Sequence, residues 1–116
     1  MKVEKRFYDS FVTLMVGLSD GAVSEYISES IKKTALECIA EGIDKIAVSF
    51  YPQSYRNGCP IVFVILLSDY LKQRGGEVVI LETEPSMRER WQPFVTQLGI
   101  NMFSSFSEVY QKFDRN

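Results

Sequence analysis

The chain has 116 residues, 46% of them hydrophobic and 24% charged, which suits one soluble globular domain over 1–116. Its 13 basic and 15 acidic residues leave a net charge of −2 with no basic block, so a nucleic-acid footprint is excluded. Histidine is absent, which leaves a zinc site only an unusual carboxylate set, and no metal or other cofactor is expected.

The opening residues MKVEKRFYDS are charged and lack an apolar core, so no secretory signal is predicted. Val3–Tyr8 and Phe11–Val16 are β-favouring and flank the turn-like Asp9-Ser10, which predicts a hairpin. Gly17-Leu18-Ser19-Asp20-Gly21 breaks that pattern. From Val23 to Glu41 the spacing becomes helical, with Ile27, Ile31, Ala35, Cys38 and Ile39 on one face and Lys32 and Lys33 on the solvated one. Gly42 stops the helix, and Lys45–Phe50 (KIAVSF) is a short central strand.

Residues 54–67 read SYRNGCPIVFVILL. Periodicity alone does not separate a buried strand from a buried helix at this length. The flanks do. Pro60 suits a first helical turn, where its missing N–H is no loss, and Gly75-Gly76 suits a C-terminal stop. The segment 59–74 is therefore predicted helical. Its longest apolar run, Cys59–Leu67, is about half of the roughly 20 residues that cross a bilayer, so no membrane insertion is expected. Glu77–Glu82 is the next strand. Pro85 and the Ser86-x-x-Glu89 pattern predict a capped helix over 86–98, with a kink or restart at Pro93 and a stop at Gly99. Ile100–Phe103 is a short strand and Ser107–Phe113 a terminal helix.

The order β-β-α-β-α-β-α-β-α predicts an α/β domain. Its short sheet is mixed, with right-handed crossovers and helices packed mainly on one side. Trp91 fits either the core or an exposed anchor. Cys38 and Cys59 form no C-x-x-C, and reduced thiols in a cytoplasmic protein are the expectation. Cys59 sits where a helix N-terminus lowers a thiol pKa, but burial as an inert packing residue is favoured. No Ser or Cys nucleophile has a visible base, and no carboxylate pair is evident, although Asp20, Glu82 and Glu84 are present. No enzyme is predicted.

This order and its glycines resemble the STAS domain, the family of sulphate-transporter domains and anti-sigma factor antagonists, nearly end to end. Gly17-Leu18-Ser19-Asp20 stands at the place of the family's G-x-L-D motif. The family's D-[ST]-S-G-L signature, with its phosphate-accepting hydroxyl, aligns with Tyr55, Arg56, Asn57, Gly58 and Cys59. Downstream, Lys72, Arg74, Gly75, Gly76 and Glu77 match a K-x-R-G-G-E pattern before V-V-I-L. The resemblance implies a single STAS-like domain that binds a kinase-like anti-sigma factor or related protein. The loops 17–22 and 51–62 and the following helix would form the contact. It also implies that Asn57 occupies the phosphoacceptor position without a hydroxyl. Arg56 adds positive charge beside a helix N-terminus, which opposes imitation of a phosphorylated state.

The residues leave other readings open. Asn57-Gly58 is compatible with a plain tight turn. Ser54 is a nearby hydroxyl that a displaced switch would use. Arg56 over a helix end suits a small anion or a nucleotide, though neither G-x-G-x-x-G nor G-x-x-x-x-G-K-[ST] occurs. A small cytoplasmic STAS subunit of a lipid-transport ABC complex is a further alternative. From Ile61 to Leu67 every residue is apolar, more than one buried stripe needs. The excess predicts an apolar patch beside a polar turn, made of Asp20, Tyr55, Arg56, Asn57 and Gly58 with the outward-facing members of Pro60, Ile61, Val64 and Leu67. A protein partner fits such a patch, and so does a second copy in a homodimer.

Overall fold

A computed structural model of the chain describes residues 2–17, 25–51 and 60–114. In chain order these form β1 (Lys2–Phe7), β2 (Val12–Gly17), α1 (Glu25–Ala40), β3 (Lys45–Phe50), α2 (Pro60–Lys72), β4 (Glu77–Leu81), α3 (Pro85–Leu98), β5 (Met102–Phe103) and α4 (Phe106–Asp114). The strands make one five-stranded sheet in the order β1-β2-β3-β4-β5. β1 and β2 are an antiparallel hairpin, and β2 to β5 run parallel. The mixed sheet follows from connection length. Asp9 and Ser10 suffice for a hairpin, whose Tyr8 N–H donates to the Phe11 carbonyl at 2.8 Å. Every later strand is reached through a helix and so comes back parallel.

Strand alternation builds two cores of unequal size. Val12, Leu14, Val16, Ile46, Val48, Phe50, Val78 and Ile80 point to one face. There they meet Ala35 and Cys38 of α1, Phe63, Val64, Leu67 and Leu71 of α2, and Trp91 and Val95 of α3. On the other face Ala47 and Val79 pack with Phe11 and with Val109 and Phe113 of α4. The first three helices thus cover one side, as the sequence predicts, and α4 alone covers part of the other. The IVFVILL segment lies in α2, so the flanking Pro60 and Gly75-Gly76 decide its conformation correctly. Gly75 takes a left-handed φ of 77°. Gly76 is needed for a different reason: a Cβ there would lie 2.7 Å from the Asp44 carbonyl oxygen, which accepts the Glu77 N–H at 2.8 Å.

One local expectation at α3 is corrected and another is narrowed. The helix begins at Pro85 with Glu84 as its N-cap, and no side chain caps it. Ser86 is therefore already inside the first turn, where its hydroxyl donates to Glu84 Oε1 at 3.2 Å. The same Ser-x-x-Glu spacing works at α4 instead. The Glu108 N–H donates to Ser105 Oγ at 3.3 Å, and Glu108 Oε1 accepts from the Ser104 N–H at 3.3 Å and from both hydroxyls. The Ser104 hydroxyl, then Ser105, hold the Glu108 carboxyl below its ordinary range. At Pro93, where a kink or a restart is expected, there is no restart: α3 continues through it to Leu98 and ends at Gly99, whose φ is 71°. Pro93 is exposed, so its ring lies on the solvent side.

Two measurements check this architecture. Ser105→Ala should cost about 1 kcal/mol in denaturant unfolding, as the loss of an N-cap does, while Ser86→Ala should be close to neutral. The second concerns Lys5 of β1, which pairs with Glu37 of α1. Their hydrogen bond raises the Lys5 pKa and lowers that of Glu37. The Glu37 contribution is present above the unfolded carboxylate value and is lost as pH falls through the folded one. The Lys5 contribution is present below the unfolded ammonium value and is lost as pH rises through the folded one. Lys5→Met should therefore show a small stability deficit that is largest near neutrality. The deficit should shrink as pH falls below the ordinary carboxylate range and as it rises above the ordinary ammonium range.

Candidate functional site

The segments in which the sequence places the candidate site follow the C-terminal ends of two parallel strands, the edge where α/β sheets place their functional loops. β2 and β3 are parallel neighbours, and the Tyr51 N–H donates to the Val16 carbonyl at 2.9 Å just where both strands end. The chain leaves β2 at Gly17 and β3 at Tyr51, so 18–24 and 52–59 depart from adjacent points. Asp20, Tyr55, Arg56, Asn57 and Gly58, together with Ser54 and Cys59, lie outside the described residues. Pro60 is the first residue of α2 and Ile61 follows in its first turn. That turn carries no acidic residue, so the positive end of the helix is not neutralised from within.

An aromatic clasp holds this end of α2 in place. The Phe50 ring, at the end of β3, stacks on Trp91 of α3 at 5.8 Å and 19°. It meets Phe63 of α2 edge-on, at 5.8 Å and 88°. All three rings are buried. Trp91 is thus a core residue. The sequence leaves its placement open, and the stacking on Phe50 decides the matter.

The predicted patch needs correction on α2. Val64 and Leu67 are fully buried, so neither faces outward. The reason is that α2 lies between two helices: α1 and α3 both pack in the same core and cover flanks of α2 that a lone crossover helix would expose. Phe63, Val64, Leu67, Ser68 and Leu71 form the buried stripe. On the opposite side Ile65 is half-buried and Asp69 is exposed, and sequence reasoning missed both as surface residues, while half-buried Leu66 packs against the main core. The spacing of Asp69 from Ile65 (one turn) carried that signal.

The described carboxylates do structural work. Glu82 follows β4 and is buried, and its Oε2 accepts the Glu84 N–H at 3.1 Å. Arg88 reaches back to the Glu82 and Thr83 carbonyls at 3.4 and 3.5 Å, closing the loop into α3. Cys38 is fully buried, and burial pushes its thiol pKa up, away from reactivity. Two open hollows flank the helices. One, of about 450 Å³ between α1 and α2, is bordered by Leu36, Ala40 and Tyr70. The other, of about 500 Å³, lies between α3 and the start of α4 beside Arg88, Gln92 and Glu108. No described helix is long and apolar enough to cross a membrane.

No protein-family model and no curated protein matches the sequence. Solved structures do match it. The anti-sigma factor antagonist SpoIIAA in its unphosphorylated form is similar over 99% of each chain, with 18% identity and a TM-score of 0.58. The Bacillus cell fate determinant SpoIIAA in the phosphorylated form is similar over 96% of this chain and 98% of that one, with 17% identity and a TM-score of 0.58. The chain has the STAS fold.

The corrected geometry separates two classes of substitution. Val64→Asp places a charge in the packed seam of α2 and should cost about 3 kcal/mol or more in urea unfolding. Ile65→Asp, at a half-buried position, should cost about 1 kcal/mol.

Proposed function

We propose that this STAS chain is a non-catalytic regulatory module of the anti-sigma factor antagonist type, working in the cytoplasm. It binds a kinase-like anti-sigma factor through 17–22, 51–62 and the start of α2. The observation that carries the reading is the end-to-end likeness to an antagonist solved in both unphosphorylated and phosphorylated forms. The contact residues are Asp20, Tyr55, Arg56, Asn57, Gly58, Pro60 and Ile61. Val64 is buried in the main core and contributes only through the packing of α2.

Asn57 takes the phosphoacceptor position. Its amide offers no hydroxyl to a kinase and no negative charge, so the site is held in the unphosphorylated form. Arg56 and the positive end of α2 add up to a field that suits an anionic group on the partner. The aspartate that opens the family signature is replaced by Tyr55, which adds an aromatic contact of the kind enriched in interfaces.

Incubation with a kinase-like anti-sigma factor and ATP should leave the intact mass of the chain unchanged. Its binding to that protein should persist with ATP present. Arg56→Glu should weaken binding about tenfold or more without changing the melting temperature. Phosphate arriving on Ser54 would contradict the locked state, and no binding to any kinase-like anti-sigma factor encoded in the source cell would contradict the function.

A further inference from the structure

β1 lies at the edge of the sheet with β2 on one side of it. The Tyr8 to Phe11 hydrogen bond and the pairs Arg6↔Thr13, Glu4↔Met15 and Lys2↔Gly17 fix the phase of the antiparallel ladder. Residues 2, 4 and 6 exchange main-chain hydrogen bonds with β2, so Val3, Lys5 and Phe7 turn their N–H and C=O groups outward. Val3, Lys5 and Phe7 share the helix-covered face. Val3 packs against the main core, Lys5 reaches Glu37 of α1, and Phe7 is 46% exposed. Glu4 and Arg6 point to the other face and are exposed.

We propose that this edge pairs with the same edge of a second copy of the chain. The two β1 strands run antiparallel about a two-fold axis at Lys5 and join the two sheets into one. Outward-facing groups must meet outward-facing groups, which restricts the axis to a β1 residue and leaves few registers. An axis at Glu4 sets Glu4 against Glu4, and an axis at Arg6 sets Arg6 against Arg6. Both are repulsive. An axis at Val3 or Phe7 overlaps only a few residues. The axis at Lys5 aligns the whole strand. It sets Glu4 against the partner's Arg6 twice, at the non-hydrogen-bonded positions where side chains approach most closely. It also sets exposed Phe7 against the partner's Val3 twice, which extends the main core across the boundary. The two Lys5 side chains meet at the axis, each already held by its own Glu37.

Charges on an edge strand usually guard against pairing. Opposite charges two residues apart, on one face, keep that guard against foreign strands and lift it for a copy in this one register. The β1 edge shares no residue with the proposed contact at 17–22, 51–62 and α2, and its test does not depend on the regulatory reading.

Sedimentation over a wide concentration range tests it with Glu4→Arg, Arg6→Glu and the double variant, with melting temperatures measured to confirm folding. Wild type should form a dimer, each single reversal should raise the dissociation midpoint about tenfold or more, and the double reversal should restore it. Phe7→Ser should weaken the dimer while leaving the monomer folded. A wild type that stays monomeric at every concentration, a dimer indifferent to the single reversals, or a folded double variant that stays monomeric would each overturn the proposal.

Discussion

The packing of Phe63 and Trp91 on Phe50 is the contact from which the rest of the molecule takes its geometry. Phe50 ends the central strand, where the chain turns towards the candidate site. Phe63 brings the first turns of α2 down on it, and Trp91 ties α3 to the same ring. A buried aromatic contributes a large apolar area and a definite orientation, so these rings fix where α2 begins and which way it points. The helix N-terminus is thereby aimed over the C-terminal edge of the sheet.

That anchoring accounts for both the success and the failure of sequence reasoning. The hairpin was legible because Asp9 and Ser10 separate two runs of strand-forming residues. The strand KIAVSF was legible because glycine and proline signals bracket it with helices. α2 was legible from Pro60 and Gly75-Gly76, although its interior was ambiguous. The burial of Val64 and Leu67 was not, because it depends on α1 and α3 closing over both flanks of α2, a fact of three dimensions. The Ser-x-x-Glu pattern occurs at 86–89 and at 105–108, and local sequence does not rank them. Pro85 decides between them by starting its helix one residue too early for Ser86 to be the cap. The candidate site was legible only in its place on the chain, since Asp20 and 55–58 fall in 18–24 and 52–59, outside the described residues.

At 17 to 18% identity the fold persists, while the proposed reading has the signature changed. The two are held by different things. The fold rests on apolar alternation in β2, β3 and β4, on left-handed glycines and on connection lengths, all of which tolerate substitution. A phosphorylation switch rests on one hydroxyl and its neighbours, and in the proposed alignment Asn57 and Tyr55 change that chemistry. On that proposal the scaffold keeps a recognition surface without the switch.

Amide hydrogen exchange on this chain, alone and bound to the kinase-like anti-sigma factor of its source cell, tests the account most directly. It predicts slowed exchange in 17–24 and 51–62, at the C-terminal edge of β2 and β3, with α3 and α4 unchanged. Protection confined to α3 and α4, with the segments around Asp20 and Asn57 unaffected, would contradict it.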